Sequence, residues 1–230
     1  MGGRVPYVQP THGHRSGIEP VLLAASIPAR AGNLVLEGGA GAGAALLCLA
    51  ARVPGVRGLG IEIEPAPLAC AETNKRDYPD LRFVGGDLLQ TVFEERFDHA
   101  MANPPWHPPG TASPDMGRER ARRASGAVFT DWAAALAAPL RHRGTLTFVL
   151  PAAALPAAIA GMTAAGCGSQ SIFPFWPRPG KDAKLALLRA IKGGRGPCRV
   201  RAGLVLHEAD GSFTQAAHAI LRDGAALDFV

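Results

Sequence analysis

The sequence predicts an α/β fold, a mostly parallel sheet with helices on both faces. Three observations carry that prediction. Short strand-type runs alternate with longer Ala/Leu-rich helical runs from Asn33 onward, a glycine-rich turn follows the first strand-like run, and four successive such runs end in a hydrogen-bonding residue, Glu37, Glu62, Asp87 and Asn103. Residues 33–37 read as the first strand and 42–52 as its helix. The second strand is 56–62 and its helix 65–77, with Pro65 near the start, where its missing N–H costs nothing. Strands follow at 81–84 and 97–102, then a helix at 128–140, a strand at 144–150 and a helix at 151–165. Residues 171–175, 185–191 and 201–206 read as strands that close the sheet, and 214–221 as a short helix. Residues 1–16 read as a flexible arm and 17–230 as one domain.

Composition narrows the class. Of 230 residues, 47% are apolar and 19% charged, which describes a globular chain able to bury a core. The apolar stretches, such as 152–165, are Ala-rich, interrupted by proline and too short for a membrane span of roughly 20 residues, and residues 1–14 lack the apolar core of a secretory signal. The expectation is a cytoplasmic protein with no membrane partner. Cys48, Cys70, Cys167 and Cys198 form no CxxC pair and have no close histidine partner, so no metal site is expected and the thiols read as reduced. The net charge of +5 is compatible with a polyanionic partner.

The first strand-like run leads into Gly38-Gly39-Ala40-Gly41-Ala42-Gly43, where glycines permit a tight turn and a close approach of backbone to ligand. Gly39, Gly41 and Ala44 also satisfy a dinucleotide pattern whose last position is alanine, so NAD binding has to be weighed. Glu62, 25 positions after Glu37, sits where an acid holds the two hydroxyls of a ribose, with Ile63 beside it. Glu37 discriminates between the cofactors: a carboxylate before the glycine turn repels a pyrophosphate but attracts the sulfonium and ammonium of S-adenosylmethionine. Asp87 is placed to accept from an adenine amino group, with Leu88 against the ring.

Asn103-Pro104-Pro105-Trp106 is hard to explain as fold-building, because two successive prolines remove two backbone donors and fix φ twice. It suits a site that accepts hydrogen bonds from a planar amine, through the Asn103 amide oxygen and the Pro104 carbonyl, with Trp106 as a stacking plate. Residues 107–126, rich in Pro, Gly and Arg, form a long aperiodic loop directly after it. His107 reads as a substrate contact or a surface histidine. Arg118, Arg120, Arg122 and Arg123 in that loop, with Arg15 and Lys181, and the further basic residues Lys184, Arg195, Arg199 and Arg201, read either as solvated faces or as contacts to RNA phosphates.

On these residues the chain resembles the class I S-adenosylmethionine-dependent methyltransferases, Rossmann-like, that methylate amino nitrogens and carry an Asn-Pro-Pro-aromatic tetrad. More narrowly, residues 14–25 (His-Arg-Ser-Gly-Ile-Glu-Pro-Val-Leu-Leu-Ala-Ala), together with 192–197 and 206–214, resemble the bacterial tRNA1(Val) adenine-N6 methyltransferase family. The resemblance implies a seven-stranded sheet with its last strand antiparallel, S-adenosylmethionine as cofactor, and methylation of the adenine beside the anticodon of a tRNA. It implies cofactor contacts at Glu37, Gly39, Ala40, Gly41, Gly43, Glu62, Ile63, Asp87, Leu88 and Asn103, and catalytic positions at Asn103, Pro104, Pro105 and Trp106. This sequence has Trp106 where relatives carry tyrosine or phenylalanine, and Glu37 where aspartate is commoner. Protein glutamine-N5 methylation uses the same tetrad and is the rival activity, disfavoured because no N-terminal helical domain precedes the tetrad; a non-catalytic RNA- or cofactor-binding module and a nicotinamide dehydrogenase are the others.

Overall fold

A computed structural model describes residues 1–11, 16–106 and 127–229. Among them the sheet has seven long strands: β1 (Leu34–Gly38), β2 (Arg57–Glu62), β3 (Leu81–Gly85), β4 (Phe97–Ala102), β5 (Leu140–Pro151), β6 (Cys167–Trp176) and β7 (Leu185–Lys192). Two further strands of two residues, β8 (Arg199–Val200) and β9 (Leu204–Val205), lie beside β6. The order is β3-β2-β1-β4-β5-β7-β6-β8. Only β7 runs antiparallel to its neighbours β5 and β6. The helices are α1 (Glu19–Ser26), α2 (Ala44–Arg52), α3 (Pro65–Asn74), α4 (Ala127–Ala137), α5 (Leu155–Ala164) and α6 (Gln215–Leu221). No helix among the described residues is long and apolar enough to cross a membrane.

Successive strand residues point to opposite faces, and both faces here are covered. Val35 joins one apolar cluster with Leu22 and Leu23 of α1 and Leu46, Leu47 and Leu49 of α2. Its neighbour Leu36 joins the other, with Phe129 and Leu136 of α4, Met162 of α5, and Phe148 of β5. Residues 35–38 of β1 are accordingly buried without interruption.

The amino ends of β1, β4 and β5 are locked by polar groups. Asp98 accepts from Leu34 N at 2.8 Å and from the Arg141 guanidinium. The His99 ring lies 2.9 Å from Thr145 Oγ1 and 3.4 Å from Asn33 Oδ1, and burial pushes its pKa down to about 4. The amino-terminal segment is tied to the domain through Asn74: Val8 N donates to its Oδ1, and its Nδ2 donates to Val8 O and to Ala42 O.

The elements depart from the sequence reading in several places; among them, the strand expected over 171–175 already starts at Cys167, and the helix expected over 151–165 starts at Leu155 after a 3₁₀ turn. The helix expected over 128–140 stops at Ala137 ahead of Pro139, and Leu140 already pairs with Phe97, so β5 begins four residues earlier than expected. Of the strand expected over 201–206 only Leu204–Val205 forms, as β9; β8 precedes it, and Gly203, left-handed at φ 83°, lies between the two. The helix expected over 65–77 ends at Asn74, and its last three residues form a 3₁₀ turn. Helix α1, absent from the sequence reading, is eight residues long and carries no side-chain cap; its local signals are Glu19 in the first turn and Pro20 beside it.

Two outcomes are expected. His99 keeps a folded pKa below its ordinary 6.5, so its contribution to stability is complete above pH 6.5 and is lost as the pH falls to about 4. Urea unfolding should therefore show wild type losing up to ~1.4 kcal/mol per pH unit in that window relative to His99→Gln; equal slopes would clear His99. Asn74→Ala, which removes one buried and two part-buried hydrogen bonds, should cost about 1–3 kcal/mol in the same assay and open the amino-terminal segment to limited proteolysis.

Candidate active site

Glu37 and Gly38 close β1, Glu62 closes β2, Asp87 follows β3 and Asn103 follows β4, so the four hydrogen-bonding residues meet at the carboxyl edge of the parallel strands. The turn between β1 and α2 is left-handed at Gly39 (φ 62°), Gly41 (φ 56°) and Gly43 (φ 85°). A Cβ on Gly43 would stand 2.6 Å from the Phe83 ring, and one on Gly39 2.7 Å from Trp132, so the turn needs glycine for both conformation and space.

Gly43, the N-cap of α2, has no side chain to cap the exposed N–H groups. Glu37 supplies the missing acceptor from the strand below: its Oε2 takes the Leu46 N–H at 3.2 Å. The side chain is 5% exposed, and burial pushes its pKa up to about 8, with a smaller upward push from the Glu62 charge. At neutral pH it therefore largely keeps its proton. The sequence reading made Glu37 an ionised attractor for a cationic ligand, whereas here it lies beneath the glycine turn, away from the cavity wall.

Glu62 is also buried but faces the turn. Its Oε2 accepts from Gly41 N at 2.7 Å and its Oε1 from Glu64 N at 2.8 Å. Each carboxylate oxygen takes two hydrogen bonds, so one acceptor position per oxygen is left over, the requirement for holding a vicinal diol. Asp87 forms a tight local turn: Oδ1 accepts from Leu89 N at 2.9 Å and Oδ2 from Gln90 Nε2 at 3.0 Å. That turn buries Leu88.

A cavity of about 300 Å³ opens on this edge. Gly39, Ile63, Asp87, Leu88 and Pro105 form part of its wall, together with Val128, Asp131 and Trp132 of α4. Ile63 is 63% exposed, an apolar surface left at the mouth for a flat ring. The size, the apolar walls and the glycine backbone fit an adenosine group; Glu62 supports the glycine turn and is not itself part of the wall. Among the described residues no cluster of metal-ligating side chains is present.

The tetrad adjoins the cavity through Pro105. Asn103 is exposed, and among the described residues nothing is hydrogen-bonded to its side-chain amide, while Pro104 is buried. Trp106 is half-buried and packs against the cluster under α4. Lys181 is exposed in the turn after β6, on the same edge. Arg15, His107, Arg118, Arg120, Arg122 and Arg123 lie outside the described residues. Asp131 and Trp132 were missed by sequence reading; their one local signal is a charge and a large ring within an Ala-rich helix, and only the packing of α4 over Gly39 brings them to the cavity.

Residues 19–132 match the model of the methyltransferase small domain. The tRNA1(Val) (adenine(37)-N6)-methyltransferase of Actinobacillus pleuropneumoniae serotype 7 is 28% identical over 200 residues, covering 85% of this chain and 84% of that one. The enzyme of the same name from Porphyromonas gingivalis W83 is 34% identical over 120 residues, and there the chain spans about half of its relative, 47%. Among solved structures, a predicted O-methyltransferase from Agrobacterium tumefaciens superposes with a TM-score of 0.74 at 25% identity, over 91% of this chain and 98% of that one.

Glu37→Gln preserves an acceptor for Leu46 N but removes the titration. With its folded pKa raised to about 8 from 4.5, Glu37 makes wild type lose stability as the pH climbs from 4.5 to 8. Thermal unfolding of the variant should lack that decline, and parallel curves would exclude Glu37 as its source. Gly39→Ala should weaken S-adenosylhomocysteine binding by about ten-fold or more in titration calorimetry, through backbone strain and the Trp132 contact.

Proposed function

We propose that this chain, a class I S-adenosylmethionine-dependent methyltransferase by fold and family match, methylates the N6 amino group of an adenine in a tRNA. The observation that carries the reading is the free amide of Asn103, set by two prolines at the end of β4 beside the cavity that fits the cofactor. The naming of its relatives as tRNA1(Val) adenine-N6 enzymes supports the same substrate class, as does the net charge of +5.

Bound S-adenosylmethionine supplies an electrophilic methyl group on a sulfonium. The chain's part is to make a poor nucleophile competent. The N6 lone pair is delocalised into the purine ring until both amino hydrogens are held by acceptors out of that conjugation; Asn103 Oδ1 and the Pro104 carbonyl are those acceptors, and φ fixed at Pro104 and Pro105 keeps them from turning away. The positive charge that methyl transfer would develop on N6 would be stabilised by these two oxygen dipoles. The surplus proton then leaves to water, so no dedicated base is needed. Glu62 orients the ribose, and the exposed face of Trp106 stacks on the base. The adenine must leave its own stack to enter, which costs least in a single-stranded loop.

Incubation with methyl-labelled cofactor and unmodified tRNA, followed by digestion to nucleosides, should yield N6-methyladenosine. Asn103→Ala should lower kcat by about a hundred-fold or more while leaving S-adenosylhomocysteine affinity unchanged. Labelled N5-methylglutamine in a protein substrate, with no labelled nucleoside, would overturn the reading.

A further inference from the structure

A second cavity, of about 390 Å³, lies toward the other edge of the sheet, walled by residues from the amino ends of β5 and β6, from β7 and from the segment around β8. Four guanidiniums, those of Arg143, Arg189, Arg199 and Arg201, share its wall with the hydroxyl-bearing residues Ser169 and Ser171. Among the described residues no carboxylate stands within ion-pair distance of any of the four arginines. Gathering four like charges in one concavity is unfavourable by itself, and the pKa of Arg189 is pushed down to about 10 by its burial and by the Arg201 charge. The Nε of Arg201 is buried without a hydrogen-bond partner. Arg189 is buried at a cost and Arg201 leaves its Nε without a partner, and neither faces a carboxylate among the described residues, so an anion from outside would balance the charge.

The backbone around the cavity is specialised too. Between Phe97 and His99 a step of two residues in β4 is matched by five in β5, and between Gly168 and Ser171 a step of three in β6 is matched by two in β7. These bulges aim side chains that a regular ladder would leave on the sheet faces. Arg143 (φ 70°) and Ser169 (φ 52°) sit in them, and they are the two non-glycine residues with left-handed backbone among the described residues. Strain of this kind persists where the surroundings enforce it, and it gathers at ligand sites. Ser169 Oγ is held by the Gly196 N–H at 2.8 Å, while Arg189 is fixed by Ser26 O and by the Phe229 ring, 3.9 Å from its Cζ. The base of the cavity is thus preorganised, and the exposed Arg143 and Arg199 form its rim.

We infer that this cavity is a binding site for a phosphate group, carried either on a polynucleotide backbone or on a free nucleotide. Planar guanidiniums bind tetrahedral oxyanions through paired N–H donors, and serine hydroxyls add donors that a carboxylate ligand would not need in this number. The site stands apart from the cofactor cavity across the sheet, so the inference does not depend on the adenine reading.

Inorganic phosphate is the first probe, compared with chloride at equal ionic strength in thermal unfolding of the full chain. Phosphate should raise the melting temperature of wild type, and its Kd should rise about ten-fold in Arg199→Glu and in Arg143→Gly. The second variant relieves the backbone strain, so it keeps its fold while losing the ligand. S-adenosylhomocysteine affinity should stay unchanged in both. Equal effects of phosphate and chloride on wild type, or wild-type phosphate affinity in both variants, would overturn the site. Titration with tRNA and with adenosine 5′-monophosphate identifies the source. Weaker tRNA binding in the variants, with a shallower salt dependence, assigns it to the backbone of RNA. Weaker monophosphate binding with tRNA unaffected assigns it to a nucleotide, and no change in either overturns the assignment.

Discussion

The hydrogen bond from Gly41 N to the Glu62 carboxylate ties the glycine turn after β1 to the end of β2, and the geometry of the carboxyl edge follows from it. Three left-handed glycines in five residues have much freedom to lose, at roughly 1–2 kcal/mol for each residue fixed. A single hydrogen bond, with a net worth of about 0.5–3 kcal/mol, does not offset that. The turn is therefore held from three directions. Glu62 reaches it from β2, Glu37 secures the first turn of α2 from β1, and Asn74 of α3 takes the Ala42 carbonyl while also holding Val8. Phe83 closes the remaining side by packing where a Cβ on Gly43 would be.

The two buried acids look interchangeable in the sequence and are not. Both stand at the end of a strand, on the same edge, with less than a tenth of their surface exposed. Glu62 receives two backbone N–H groups, whereas Glu37 receives one long bond and sits within apolar surroundings. Burial with little compensation holds Glu37 protonated near neutrality. One acid thus serves as a cap for α2 and the other as an acceptor that holds the glycine turn.

The sheet also separates charge. Acceptors gather where the parallel strands end together and the chain must turn into its helices; guanidiniums with no carboxylate partner among the described residues gather toward the other edge, where β5 and β6 are bulged. A cationic cofactor and an anionic ligand are suited to opposite edges of one sheet, which keeps each site from weakening the other through a short, poorly screened distance.

Much of this was legible locally. The strand expected over 97–102 is β4 residue for residue, and the acids and the asparagine were found because strand ends carry a simple signal, an apolar run stopping at a polar residue. Pro65 marked the start of α3 for the same local reason. Helix α1 was missed, since it is short, uncapped and stabilised by packing on α2. The early start of β5 was hidden because it rests on the pairing of Leu140 with Phe97 of β4, followed by a bulge, which no local pattern announces.

The sequence by itself determined the alternation of elements, the glycine turn and the tetrad, because each depends on backbone preferences and patterns spanning a few residues. Tertiary structure alone decided that Glu37 points into the fold, that Trp132 covers Gly39, and that Arg143, Arg189, Arg199 and Arg201 share one cavity. Each of these depends on which face, register or bulge brings residues distant in the chain together, and those are settled only when the whole sheet has closed.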